Sequence, residues 1–219
     1  EGMLLIRQVL ELYRTRADFF IELLLQHVRL SLTAIVVAGC LGLLLGIFIS
    51  EHRRVAPVVI GVVNVVYTIP SISLLGILLP LTGVGDKTAL VALTIYALMP
   101  MVRNTYTGIV SIEPAMIEAG RGMGCTRCQM IWRIKLPLAL PVILAGLRNM
   151  VVMVVAMTGI ASFIGAGGLG VAVFRGITIN NMAMTVAASI LIAAFALICD
   201  FAIGCVERHY KKKRRMNRT

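Results

Sequence analysis

Apolar residues run along this chain in long stretches separated by short polar breaks. Residues 29–50, 56–81, 88–110, 138–164 and 183–206 are each long enough to cross a bilayer, for which about 20 apolar residues of helix suffice. In hydrocarbon only helices and closed barrels pair every backbone group, and unbroken apolar runs lack the alternation of a barrel strand. The pattern predicts an all-α integral membrane protein with five transmembrane helices. Ahead of them, residues 1–28 carry apolar positions at helical spacing: Leu4, Leu5, Val9 and Leu12, then Phe19, Phe20, Leu23 and Leu24. Charges lie between them, so this segment reads as an interfacial amphipathic helix too polar to span. Residues 207–219 form a basic tail.

The breaks carry as much information as the runs. Ile69-Pro70-Ser71 interrupts the second span, and a proline that lacks its N–H and crowds the preceding turn predicts a kink or break there. Residues 81–87 read as a turn, and residues 113–136 form the one sizeable polar connector between spans. Within it, Pro114 suits a first helical position and Glu118 complements the positive helix end. Gly120, Gly122 and Gly124 each cost about 1 kcal/mol against alanine inside a helix, which asks for a turn or close backbone contact, with Gly124 best placed for the turn. A second short helix is expected from Thr126 to Ile134, stopped before Pro137.

Composition places the chain in the bilayer: 59% of its 219 residues are hydrophobic and 14% charged. Its net charge of +11 would suit nucleic acid, but the lysines and arginines gather beside apolar runs, at Arg53-Arg54, Arg121 to Lys135 and Lys211 to Arg215. That distribution orients a membrane protein instead. With the connector inside, thirteen basic residues lie on the cytoplasmic side and six (Arg7, Arg14, Arg16, Arg29, Lys87 and Arg175) outside. The expectation is a multi-pass protein of a cytoplasmic membrane with its N-terminus outside and its C-terminus inside. The start, EGMLLIRQVLELYRTRADFF, has no cleavable signal-peptide pattern.

Several motifs imitate other chemistries. The five cysteines are odd in number, and Cys125-x2-Cys128 has neither a second CxxC nor a nearby histidine pair, so no metal site is expected. Gly165-Ala166-Gly167-Gly168-Leu169-Gly170 has the dinucleotide spacing but follows a span rather than a strand. Tight turns and close backbone approach near an external gate suit Gly165, Gly167, Gly168 and Gly170 better. Residues 83–88 echo a phosphate loop but place Asp86 where glycine is required. No carboxylate pair or Ser/His/Asp set suggests catalysis, so no enzyme activity and no cofactor are expected. Polar groups inside spans remain, because hydrocarbon penalises them unless they meet a partner or a pathway. Asn64, Tyr67, Thr68, Pro70 and Ser71 cluster at the break and are candidate pathway residues. Arg103, Arg148 and Asp200 are expected to snorkel or pair.

Glu118-Ala119-Gly120, three residues, Gly124, nine residues, then Ile134-x-Leu136-Pro137 resembles the E-A-A-x3-G-x9-I-x-L-P signature of binding-protein-dependent ABC importer permeases. Tyr67-Thr68-Ile69-Pro70-Ser71, Arg103-Asn104-Thr105-Tyr106-Thr107-Gly108-Ile109, Leu136-Pro137-Leu138-Ala139-Leu140-Pro141 and Ile164 to Gly170 are similar to the osmoprotectant branch, which imports glycine betaine, proline betaine, carnitine or choline. The resemblance covers residues 28–206. It implies the type I importer permease fold, with the connector as a coupling helix-turn-helix. It also implies two ABC ATPase subunits that bind the ATP, a second permease subunit, an extracytoplasmic solute-binding protein, and alternating access. The coupling contact would fall to Glu118, Ala119, Gly120, Gly124, Met130, Ile131, Trp132, Ile134, Leu136 and Pro137. Gly120 departs from the signature's second alanine and is expected to loosen the first coupling helix. A methionine or other amino-acid permease, and an ATP-independent channel or membrane scaffold, are the alternatives.

Overall fold

The computed structural model describes residues 2–216, with side chains through residue 209. Arg218 and the side chains of Lys211 to Arg215 lie outside the described residues. Among the described residues the elements are all helical: α1 (Gly2–Thr15), α2 (Ala17–Glu51), α3 (Ala56–Thr68), α4 (Ser71–Thr82), α5 (Asp86–Val110), α6 (Pro114–Gly122), α7 (Arg127–Gln129), a π-helical segment (Met130–Lys135), α8 (Leu136–Thr158), a 3-10 turn (Ile160–Ile164), α9 (Gly170–Thr178) and α10 (Met182–Met216).

Among the described residues, three helices are long and apolar enough to cross a membrane: Ala17–Glu51, the continuous Arg127–Thr158, and Met182–His209. The pair α3 and α4, bent by 99° at Pro70, makes a fourth if it is one span. The expected span at 88–110 is α5, whose apolar content is diluted by Arg103, Asn104 and four threonines. Eleven of its 25 residues are nevertheless buried. A helix enclosed by its neighbours can carry polar groups that one facing lipid cannot.

Small residues make that enclosure possible. Ala34, Ala38, Gly42 and Gly46 recur every fourth residue on α2 and are all buried. A Cβ at Gly42 would stand 2.7 Å from Met101 Cβ, and one at Gly46 would stand 2.5 Å from Thr105 Cβ. The backbones of α2 and α5 therefore approach closely, the arrangement that drives helix association where lipid is as apolar as the side chains. On an adjoining flank of α5, Gly108 meets Ala139 and Val142 of α8, and Asn104 meets Gly146. The main core is this α2–α5–α8 stack, closed by Leu74 and Leu75 of α4.

A second cluster joins α1, the start of α2, α9 and α10 around Val9, Phe20, Leu169 and Met184. Tyr13 donates its hydroxyl to the Ala187 carbonyl at 2.7 Å, hooking α1 onto α10. Where the sequence places a boundary at residue 28, α2 runs without a break. Asp18, Glu22 and Arg29 form an exposed polar stripe on one side of it, while Phe20, Leu23, His27 and Leu30 are buried on the other. The fourth expected span, 138–164, ends earlier than the sequence places it. α8 stops at Thr158, and α9 occupies part of what the sequence leaves as loop. Arg148 and Asp200 pair through two charge-assisted hydrogen bonds, with Glu207 4.0 Å from the same guanidinium. They join α8 to α10.

Candidate coupling and pathway sites

The connector is built from two capping motifs laid end to end. Pro114 occupies the first turn of α6. At the other end of that helix, Cys125 N–H bonds to the Gly120 carbonyl at 3.2 Å and Gly124 N–H to the Arg121 carbonyl at 2.9 Å. With Gly124 at φ +77°, this is a Schellman ending, in which the left-handed residue lets the chain turn back and satisfy the last carbonyls. The next helix begins one residue later. Thr126 Oγ1 accepts from Gln129 N–H at 3.3 Å, and Gln129 Oε1 accepts from Thr126 N–H at 2.8 Å. This reciprocal capping box is spelled T-x-x-Q at 126–129, a sequence signal that the reading by glycines and prolines passed over.

The second connector helix does not stop before Pro137, as the sequence reading expected. It passes through the π-helical segment into α8, so Arg127–Thr158 is one helix. Leu136 N–H reaches back five residues to the Ile131 carbonyl. Widening the turn admits a proline ring that a regular turn would exclude, because Pro137 has no N–H and its ring crowds the carbonyl four residues back.

Gly120 does not loosen the connector either. It is buried, and a Cβ there would lie 2.5 Å from Ile134 Cδ1 and 2.9 Å from Met130 Cε. The missing methyl is the space these two side chains fill, so α6 packs tightly on the π-helical segment. Met130 is accordingly buried and shapes the connector from within. Ile131, Ile134, Leu136 and Pro137 are half-buried, while Glu118, Ala119 and Gly124 are exposed. Met123 and Trp132 offer the large exposed apolar surfaces, at 75% and 62%. Trp132 was foreseen and Met123 was not. An open groove of about 1000 Å³ is bounded by the 52–55 and 111–113 turns and by Glu118, Arg121 and Lys135. Lys135, at the end of the π-helical segment, forms an ion pair with Glu51 at the end of α2.

At the second site, the 99° break separates α3 from α4. Thr68 donates its hydroxyl to the Val65 carbonyl at 2.6 Å, and Ile69 N–H bonds to the Val66 carbonyl at 3.2 Å. The Ile69 carbonyl accepts from the Tyr96 hydroxyl of α5. Asn64, Tyr67, Thr68 and Pro70 are exposed and Ser71 is half-buried. Tyr67 reaches Met153 Sδ of α8 with its hydroxyl at 3.6 Å, and its ring lies 5.9 Å from that of Tyr96. Tyr96 was not among the sequence candidates, because its role is visible only once α5 meets the break.

The glycine-rich turn forms a third site at the opposite end of α8 from the connector. Gly165, Gly167 and Gly168 have φ of +75°, +75° and +78°, which L residues rarely adopt. Gly168 N–H bonds to Gln26 Oε1 at 3.0 Å, and Gly85 N–H bonds to the Ile164 carbonyl at 2.8 Å. Gly170 sits directly against the Gly159 carbonyl. The turn is thus tied to α2 and to the turn before α5. No strand flanks it, and among the described residues no three His, Cys, Asp or Glu gather as a metal site would need.

Comparison with known proteins adds four findings. The family described as "Binding-protein-dependent transport system inner membrane component" matches residues 38–213. A glycine betaine/carnitine/choline transport system permease protein of Bacillus subtilis (strain 168) is 39% identical over 207 residues, 94% of this chain and 90% of that one. An ergothioneine transport permease/ergothioneine binding protein of Helicobacter pylori (strain G27) is 43% identical over 159 residues, 73% of this chain and 29% of that longer one. Among solved structures, an inward-facing MetNI methionine ABC transporter superposes with a TM-score of 0.83 at 22% identity, covering 90% of this chain and 98% of its own. That likeness is one of fold.

Proposed function

The chain belongs to the family of binding-protein-dependent transport system inner membrane components, and from that premise we propose that it carries trimethylammonium solutes inward through an ATP-driven importer. It is a transport permease of the ABC type with the type I importer permease fold. ATP is bound and hydrolysed by its partner ATPase. The observation that carries the substrate assignment is what the relatives transport. Glycine betaine, carnitine, choline and ergothioneine share a quaternary trimethylammonium group, whereas a carboxylate is missing from choline.

In this reading two copies of the permease, or this chain and a paired one, form the pathway. Two ATPases dock on the connectors from the cytoplasm, and a binding protein delivers solute from outside. Met123 and Trp132 fill a hollow on the ATPase, with Glu118, Ala119 and Gly124 around them. Because Arg127–Thr158 is one helix of 32 residues, a push at the connector travels along a rod roughly 48 Å long at 1.5 Å per residue. The rod ends beside the glycine-rich turn, whose ties to Gln26 and Gly85 give the outer gate two discrete attachments to break or keep. Lys135 and Glu51 carry the same push sideways into α2. Asn64, Tyr67, Thr68, Pro70 and Ser71 line the route between.

The test is uptake into proteoliposomes that contain the permease with its cognate ATPase and binding protein. ATP-dependent accumulation of glycine betaine, choline or carnitine is expected, with ergothioneine as the second candidate from the 43% relative. Accumulation of methionine in their place would overturn the substrate assignment. Uptake that continues without ATP would overturn the importer.

A further inference from the structure

We propose that His27 is a positioning residue for the outer gate, a second acceptor to which the Gly168 N–H passes from Gln26 as the importer turns over. The proposal rests on the ATP-driven importer reading above and gives its gate two positions. His27 is fully buried where α2, α8, α10 and the glycine-rich turn meet. Its Nε2 lies 3.0 Å from the Val155 carbonyl of α8, and its ring stands edge-on to Phe195 of α10, 6.1 Å between centroids. The Val155 carbonyl is open to it because Gly159 N–H, its partner in a regular helix, bonds to the Ala156 carbonyl at 3.2 Å instead. His27 thus caps the end of the α8 rod from α2.

The other ring nitrogen has no partner. A carbonyl only accepts, so Nε2 carries the hydrogen and Nδ1 of the neutral ring is left as an acceptor. The stretches that enclose it, 149–158 of α8, 159–170 of the turn and 182–199 of α10, hold no charged residue, so the ring has no counter-ion. Nδ1 is buried and makes no hydrogen bond, which costs its desolvation without return and asks for a reason. The reason stands beside it. A Cβ on Gly168 would lie 3.3 Å from Nδ1, while the Gly168 N–H is held by Gln26 Oε1 at 3.0 Å. Two neighbouring side chains of α2 therefore offer acceptors to one turn, and one of them is vacant. With φ at +78°, Gly168 can rotate its peptide in a way that an L residue cannot. As the rod moves, His27 follows it through Val155, and the N–H changes hands without staying unpaired. A gate with two alternative bonds has two positions instead of a continuum.

The experiment uses the complete transporter in lipid nanodiscs and reads deuterium exchange at the Gly168 amide by residue-resolved mass spectrometry, without nucleotide and with ATP trapped by vanadate. His27→Gln keeps a donor within reach of the Val155 carbonyl and leaves no acceptor at the Nδ1 position. It is expected to speed exchange about fivefold in one of the two states, the worth of one hydrogen bond, and to match wild type in the other. Gln26→Leu is expected to do the same in the opposite state. A packing role alone would not separate the states, so acceleration in both, in neither, or in the same state for the two variants overturns the proposal. Should His27→Gln fail to insert, His27→Asn places an amide oxygen near the Nδ1 position and is expected to exchange like wild type in both states; acceleration in either overturns the proposal. ATP-driven uptake by the wild-type transporter is measured in parallel. Its absence overturns the importer and the exchange of acceptors with it, whereas its presence beside a failed exchange test overturns only the role of His27.

Discussion

Gly124 is the residue on which the connector's shape turns. Its φ of +77° costs an L residue about 1–2 kcal/mol, and a β-branched residue is accommodated there worst of all. Nothing lies within 4 Å of where its Cβ would be, so the constraint is conformational and not one of space. Gly124→Val is expected to lower solute moved per ATP several-fold while the protein still inserts, and Gly124→Asn, which tolerates the left-handed region, should keep most of it. Vesicle uptake measured beside ATP hydrolysis decides the matter, and equal ratios in the two variants would deny Gly124 its role as the turn. Gly120 is the opposite case: its backbone is ordinary helix and its constraint is the space taken by Ile134 and Met130. Both readings of these glycines start from the same sequence observation. The turn could be placed at one residue from it, but the close approach could not, because that needs a partner that the sequence does not name.

At the scale of elements, the connector and α8 form one continuous helix from Arg127 to Thr158, and the Lys135–Glu51 pair is its link to α2 at the connector end, as the contact between His27 and the Val155 carbonyl is farther along. The ion pair's side chains are 16% and 30% exposed, between the exposed limit, where a pair contributes about 0–1 kcal/mol, and the buried limit, where stranding one charge is costly. Lys135→Glu would set two carboxylates against each other beside Glu113 and Glu118, and coupled uptake is expected to drop. Restoring it by adding Glu51→Lys in the same chain would show that the contact, and not either charge alone, carries the motion. A double variant no better than the single one would count against that link. Much of the element order was legible beforehand, since Pro70 and Gly124 break helices for reasons that act within a few residues. What was not legible depends on distance. The Ala34 to Gly46 stripe is plain in the sequence as spacing, but its meaning appears only against α5. Likewise α9 and the end of α8 at Thr158 follow from Gly170 meeting the Gly159 carbonyl, a contact no local pattern announces.

For the whole molecule, the orientation proposed from the basic residues puts the connector inside, and the connector supplies its own probe. Cys128 is exposed and free. In a variant that retains it as the one cysteine, a membrane-impermeant maleimide is expected to label permeabilised cells and to leave intact cells unlabelled. Labelling of intact cells would invert the molecule and with it the site of ATPase docking. The π-helical segment bears on the same architecture, for a π turn amounts to one residue inserted into an α-helix. Remove that surplus and everything before it swings by about 100° around the rod. Met123 and Trp132 would then point away from whatever they now face. The nine residues between Gly124 and Ile134 are therefore an angular setting as well as a length: in the proposed docking, they fix the compass bearing at which this permease presents itself to its motor.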